Sequence, residues 1–405
     1  MPEKNIIIKP RRDKPILNQH PWVFSGAIRA IEGMPEDGDI VTVRAHDHAY
    51  IGKGYWNTKS QIRVRMLTWE DEIVDNVWWR DMLENAISRS NRLQLIQTNP
   101  LCAIRLVNAE NDYIPGLIVD YYAGWLVLQA LTLGIDIYKS DITECLVTIL
   151  GKDIVHGVYE RSDVDIREKE GLEQVTGVLW GDSPPSVIRI FNQDRYQFVD
   201  VIHGHKTGHY LDQMANHQII NTLIQRSDSE EVSVLNLFSF TGGFGLFAEN
   251  AKRVVNVDAS HEALQNAERN VLENELLDVK KYEYIQADVF EYLRDLADLG
   301  EEFDIVVLDP PKFAHNKKQV ENASRGYKDI NLNALHLIKT GGYLVTFSCS
   351  GSISADLFQK IVFGALVDSG RKAQIVQRLG ANDDHPIALT FPEGEYLKGL
   401  ILRVY

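Results

Sequence analysis

Two short stretches carry residue types suited to chemistry on a planar ring. The first is Leu308-Asp309-Pro310-Pro311-Lys312-Phe313. Each proline disfavours the α region in the residue before it, and neither has an N–H, so a strand ending here stays extended through Asp309 and cannot turn directly into a helix. A carboxylate and carbonyls held in that way can bind the edge of a base, with Phe313 available to stack on it and Lys312 to meet a phosphate. The second stretch is Ser348-Cys349-Ser350. A thiol at the end of an apolar strand and at the start of a helix would be favoured as thiolate by the helix dipole, which makes Cys349 a candidate nucleophile. A buried, inert cysteine is the plainer alternative, and Cys102 and Cys145, inside apolar segments, are read as packing residues.

A third stretch, Val234 to Asp258, reads VLNLFSFTGGFGLFAENAKRVVNVD. Its order is apolar strand, glycine-rich turn, helix, β-branched strand and acid, the order of a nucleotide-binding βαβ unit. Gly242, Gly243 and Gly245 are expected to let the backbone approach a bulky ligand. Asp258 is expected to accept hydrogen bonds from ribose hydroxyls. The embedded Gly-Phe-Gly-Leu-Phe-Ala also matches a dinucleotide fingerprint, so turn chemistry leaves both NAD and S-adenosylmethionine open.

The elements that must position these residues follow from periodicity. Downstream of Asp258, strands are predicted over 282–287, 303–308 and 342–348, ending at Asp288, Asp309 and Cys349, with helices between them and two strands closing the chain. Repeated β–α alternation predicts an α/β fold with a mostly parallel, doubly wound sheet, whose ligands gather at the carboxyl ends of the strands. This domain is assigned to residues 186–405. Residues 71–185 read as a small α+β domain. Residues 1–70 read as a small β-barrel of short strands separated by turn clusters. Within it, Arg63 and Arg65 alternate with Ile62, Val64 and Met66, which predicts an exposed basic strand. Trp22 and Phe24 near Arg11 and Arg12 make a mixture that can stack bases and contact phosphates, although either ring could instead fill the barrel core.

Composition narrows the function classes. The 405 residues carry a net charge of −15, which counts against non-specific nucleic-acid binding. Residues 1–65, however, hold eleven Lys and Arg against seven Asp and Glu, a local net of +4 that leaves −19 for the remainder. A basic module on an acidic body is compatible with docking one specific RNA, or with an ordinary solvated surface. No apolar run approaches the length of a membrane helix, and the charged N-terminal stretch is unlike a secretion signal. Three widely spaced cysteines argue for reduced thiols and a cytoplasmic protein. His203, His205 and His209 lack an acid or Cys at a familiar ligand spacing, so no metal is expected.

Taken together, the chain resembles class I S-adenosylmethionine-dependent methyltransferases, and among them the large-subunit ribosomal RNA 5-methylcytosine methyltransferase I family. The carriers are HPWVFSGAI (20–28), RLVNAENDYIPGLIVD (105–120), KTGHYLDQ (206–213), NLFSFTGGFG (236–245), LDPPKFA (308–314), SRGYKDIN (324–331), SCS (348–350) and FPEGEYLKGLILRV (391–404). The resemblance implies a PUA-like domain, a small middle domain and a Rossmann-like domain with an antiparallel last strand. It implies S-adenosylmethionine as cofactor, held by Gln213, Phe238, Gly242, Asp258, Asp288 and Asp309. Asp258 would hold the ribose, Asp288 the adenine amino group, and the 236–245 loop the methionine moiety. Cys349 and Asp309 would act on the cytosine, and Arg11, Arg12, Arg63, Arg65, Lys312 and Phe313 would contact ribosomal RNA. A homodimer is an open alternative to a monomer. Two departures stand out: Met214 follows Gln213 where members often have Arg, and the DPPK motif lacks the second Cys of many RNA 5-methylcytosine enzymes. A guanine-directed methyltransferase, an NAD-dependent oxidoreductase and a non-catalytic ribosome-assembly factor remain the competing readings.

Overall fold

The computed structural model describes residues 3–314 and 316–405, which form two compact units. The first comprises residues 1–192, 199–211 and 383–394, and the second 193–198, 212–382 and 395–405. Residues 199–211 and 383–394, expected in the C-terminal domain, thus belong with the N-terminal half.

The first unit contains two sheets. One has six strands, in the order Trp22–Phe24, Ile62–Thr68, Tyr50–Trp56, Ile40–Arg44, Asn5–Ile8, Ile28–Glu32. Its core gathers Ile6, Ile8, Val41, Val43, Val64 and Met66. The other has five strands, running Val175–Gly181, Gly157–Ser162, Trp125–Ala130, Leu117–Tyr122, Ala103–Asn108. Helices Asn76–Ser88 and Leu133–Leu150 share its core. Asp75 starts the first of these helices by accepting from the Val77 and Trp78 N–H groups, which satisfies two otherwise orphaned donors.

The strand Ile62–Thr68 corrects one expectation. It pairs with a neighbour on each side, Trp22 and Tyr55 both lying opposite Arg65, and everything from Val64 to Thr68 is buried. Arg65 is only 5% exposed, because a pair of acids from elsewhere in this unit covers its face: Nη1 donates to Glu110 at 2.9 Å and Nη2 to Glu170 at 2.9 Å. Trp22 Nε1 also donates to Glu110, and Ser60 Oγ to Glu170. Arg65 is therefore a structural cation and is withdrawn from the RNA-contacting set. Its neighbour Arg63 stays half-buried, with Nη1 donating to the Asn57 carbonyl.

The second unit is one seven-stranded sheet, ordered Tyr282–Gln286, Arg253–Asp258, Ser233–Leu237, Phe303–Leu308, Ile338–Ser348, Lys398–Val404, Ala373–Leu379. The first five are parallel, and Lys398–Val404 runs antiparallel to both its neighbours. Alternate residues of each strand serve opposite cores, as the two-residue repeat of a strand requires. Leu235, Val255 and Val306 face one core with Leu293, Tyr327 and Phe358 from three helices, while Val234, Val254 and Ile305 face the other with Leu223, Phe244 and Val271. The doubly wound α/β expectation holds. Ahead of the first strand of this sheet the chain forms three short helical segments, Leu211–Gln213, Met214–His217 and Ile219–Gln225. Among the described residues no helix is long and apolar enough to cross a membrane.

Candidate active site

The carboxyl edge of the second unit's sheet collects the expected acids. Asp258 closes the strand Arg253–Asp258; its Oδ2 accepts from Phe240 N at 2.8 Å and its Oδ1 from Ser260 N at 2.9 Å. The first of these bonds pins a turn that would otherwise be costly, since Phe238 and Phe240 both hold left-handed φ values, 56° and 47°. Strain of this kind persists only where surrounding bonds over-determine the backbone. Asp288 caps helix Val289–Leu299, its Oδ1 accepting from Phe290 N and Glu291 N. Among the described residues these bonds use only that oxygen.

The glycines of the turn are packed against neighbouring side chains of the same unit. A Cβ on Gly243 would lie 2.4 Å from the His217 ring, and one on Gly245 would lie 2.4 Å from Asn256 Oδ1. At Gly242, φ is 78° and a Cβ would meet that of Ala267 at 2.9 Å. Their missing side chains make room for protein atoms, so the turn fits closely against its own unit. Two buried polar atoms of this unit, Ser239 Oγ and Gln213 Nε2, are left without a partner among the described residues, a state that costs about 1–3 kcal/mol per group unless a polar ligand supplies the bond.

Asp309 and Cys349 end adjacent parallel strands, Phe303–Leu308 and Ile338–Ser348. The Cys349 thiol, half-buried, lies 3.9 Å from the Pro310 carbonyl, so the two motifs separated by about forty residues converge. Ser350 Oγ reinforces the junction by donating to the Ala314 carbonyl and accepting from the Ala314 N–H. The helix expected to begin at Cys349 does not. The next helix is Ala355–Ser369, capped by Ser354, so no helix dipole acts directly on the thiol. Lys312 is exposed, and Phe313 is half-buried. Its ring packs at 4.6 Å from Tyr327 and 5.9 Å from Phe290, making it part of an aromatic row behind the edge. Part of the ring is thus taken up by its aromatic neighbours.

Two neighbours of the thiol were not assigned any role from the sequence, although both lie in motifs that carried the resemblance. Tyr327, on helix Val320–His336, accepts a hydrogen bond from Ser348 Oγ at 3.0 Å, and burial raises its phenol above the ordinary value. Lys398 lies opposite Ser348 on the antiparallel strand, and burial pulls its ammonium down to about 8. Single-sequence reading sees a Tyr in a helix and a Lys opening a strand, and only strand pairing shows what they adjoin.

In the first unit, Arg12, His20, Trp22, Phe24 and Glu393 line a concavity of about 470 Å³. His20 approaches Glu393 at 3.3 Å, and the Trp22 ring packs edge-on against Phe391 at 4.8 Å. Phe24 is 48% exposed, Arg12 is exposed on the same concavity, and Arg11 is exposed next to Arg12. Aromatic and basic groups are therefore presented together on this unit. By contrast, the polar residues of the 105–120 motif serve packing: Arg105 grips Asp120 through two hydrogen bonds of 2.8 and 2.9 Å, and Thr207 completes the buried cluster.

Comparison with known proteins agrees with this geometry. Residues 6–69 match the PUA-like domain family, and residues 180–386 match the S-adenosylmethionine-dependent methyltransferase family. The chain is 47% identical over 406 residues to the ribosomal RNA large subunit methyltransferase I of Shewanella amazonensis, covering 99% of each protein. It is 45% identical to the protein of that name from Aeromonas salmonicida, covering 97% of each. Among solved structures, a protein described as a SAM-dependent methyltransferase from Streptococcus mutans superposes with a TM-score of 0.81 at 18% identity, over 98% of this chain and 99% of that one. A further methyltransferase structure, complexed with SAH, gives 0.82 at 19% identity over 98% and 99% of the two chains. The seven-stranded sheet with its acid-lined edge, joined in one chain to a PUA-like domain, is thus accounted for: the chain belongs to the ribosomal RNA large subunit methyltransferase I family of S-adenosylmethionine-dependent methyltransferases.

Proposed function

We propose that this protein methylates carbon 5 of a cytosine in large-subunit ribosomal RNA through a covalent adduct to Cys349. The observation that carries the proposal is the convergence of the Cys349 thiol with the Asp309-Pro310-Pro311-Lys312 loop at the sheet edge. The names of the relatives support the RNA class. The base and the carbon are inferred from chemistry.

Carbon 5 of cytosine is a weak nucleophile. Addition of the Cys349 thiolate to carbon 6 forms a C–S bond and turns carbon 5 into an enamine-like centre. Asp309 offsets the charge developing on the ring by hydrogen bonding at N3 or the exocyclic amine. When bound, S-adenosylmethionine supplies the electrophilic methyl group that carbon 5 accepts. A water molecule takes the carbon-5 proton, and cleavage of the carbon 6–sulfur bond expels the thiolate, which restores aromaticity and frees Cys349. A target base within a helix must first be flipped out of its stack. Asp258, Asp288, Phe238, Gly242 and Gln213 are the residues proposed to hold the cofactor, with the unsatisfied Gln213 Nε2 and Ser239 Oγ as further polar contacts. Arg11, Arg12, Arg63 and Lys312 are proposed to contact RNA phosphates.

RNA carrying 5-fluorocytosine tests the adduct, because fluorine cannot leave as a cation and the methylated intermediate cannot eliminate. Wild-type protein with cofactor should form a denaturation-resistant protein–RNA species, and Cys349→Ala should lose both that species and turnover. Cys102→Ala and Cys145→Ala should retain activity. A folded Cys349→Ala protein that still methylates RNA at the normal rate would rule out covalent catalysis.

A further inference from the structure

The turn that carries Cys349 is closed by a buried cation. Lys398, only 7% exposed, reaches across from the antiparallel strand and donates from Nζ to the Ser350 carbonyl at 2.7 Å and the Ile353 carbonyl at 2.6 Å. Those acceptors lie one and four residues beyond the thiol, so a single ammonium ties both arms of the 349–353 turn. Backbone pairing aims it there. Ser348 lies opposite Lys398, and Phe347 lies opposite Gly399, where a Cβ would strike the Phe347 ring at 2.5 Å. Glycine at 399 thus allows the strand to close tightly against Phe347 just where Lys398 must point toward the turn.

An ammonium has three donors, and the two carbonyls take only two of them. Neither carbonyl carries a full negative charge, and among the described residues no carboxylate forms an ion pair with Lys398. A buried cation in that state calls for an anion nearby. The ionisable groups around it are few. Burial disfavours the ammonium most; Cys349 and, more weakly, the exposed Glu395 are the neighbours that would favour it, and Lys312 opposes it. Tyr327 faces the thiol from its helix, with burial keeping its phenol neutral, and Asp309 adjoins the Pro310 carbonyl that the thiol approaches.

Resting on the reading of Cys349 as nucleophile, we propose that Lys398 is its positioning residue and charge partner: the ammonium clamps the 349–353 turn through two carbonyls and holds the neighbouring thiol in its thiolate form. The thiol proton leaves to solvent, Lys398 keeps its own, and the resulting thiolate–ammonium pair supplies the positive field that no helix terminus provides here. A purely structural clamp would order the turn equally well but would not tune the thiol.

The rate of Cys349 alkylation by iodoacetamide across pH 5 to 10, read by peptide mass spectrometry on the full chain, separates the two. Wild-type Cys349 should titrate at least about one unit below an ordinary thiol near 8.5. Lys398→Met should move that midpoint up and slow alkylation at pH 7 about tenfold, the loss of thiolate that one unit represents. Lys398→Arg, which keeps the charge and the donors, should restore it. An ordinary midpoint in the wild type overturns the proposal without any variant, which matters if Lys398→Met fails to fold. An unchanged midpoint in folded Lys398→Met overturns it as well. Persistent methylation by Cys349→Ala would instead refute the covalent reading and leave the alkylation titration untouched, so the two failures are distinguishable.

Discussion

Replacing Arg65 with Met tests whether the basic strand of the first unit is a core element or a surface. The side chain has lost nearly all contact with water, and its two terminal nitrogens each bond a different buried glutamate. Methionine keeps most of the volume and removes only the charge and the donors. Glu110 would keep the Trp22 N–H, and Glu170 would keep the Ser60 hydroxyl and the Asn57 amide, so neither carboxylate would be wholly unbonded. Two negative charges would nonetheless face each other without their cation. Breaking a buried pair by removing one partner costs about 3–5 kcal/mol. For a unit of this size that lowers the melting temperature by about 6–20 °C. Urea denaturation followed by tryptophan fluorescence is a selective assay, because all seven tryptophans lie within residues 22–180, in the first unit. The deficit should shrink as pH falls from 7 toward about 4.3, the unfolded-state glutamate value, because protonation discharges the orphaned carboxylates and the native state then binds more protons than the unfolded one. Arg63→Ala, on the same strand but half-buried, should cost under about 1 kcal/mol. An Arg65→Met protein within about 1 kcal/mol of wild type at pH 7 would refute the reasoning.

Asp258→Ala should weaken binding of S-adenosylhomocysteine by about 1.5–3 kcal/mol, through lost ribose contacts and through release of the Phe240 N–H that holds the turn; unchanged affinity by calorimetry would show that the carboxylate is only a loop brace. Lys398 also makes stability depend on pH. Its ammonium titrates near 8 when folded, against 10.5 for the free side chain, so between those values the unfolded chain binds the extra proton and stability rises with pH. The wild type should gain about 3 kcal/mol across that window relative to Lys398→Met, as read by calorimetric melts, and parallel curves for the two proteins would contradict it.

Much of the catalytic unit is legible in the sequence, because strand, glycine turn, helix, strand and acid follow one another locally. Asp258, Asp288, Asp309 and Cys349 are each the residue at which an apolar run stops, and parallel topology obliges such ends to share an edge. The same local signals misled where a neighbour distant in sequence decides the outcome. Alternation in Ile62–Met66 marks two faces but not what covers them, and Glu110 and Glu170 arrive from 45 and 105 residues away. Glycines at 242, 243 and 245 announce close approach without saying to what, and His217, Asn256 and Ala267 turn out to be the partners. Cys349 lacks the helix start that its position implied, because the chain spends five residues in a turn before Ala355. What charges that turn is Lys398, placed by an antiparallel pairing between strands fifty residues apart. The sequence alone therefore determined the order of elements and the residues at their ends, since both follow from local sterics and hydrophobic period. The tertiary structure decided which charges are buried together, because burial and pairing depend on contacts whose sequence separation no local pattern encodes.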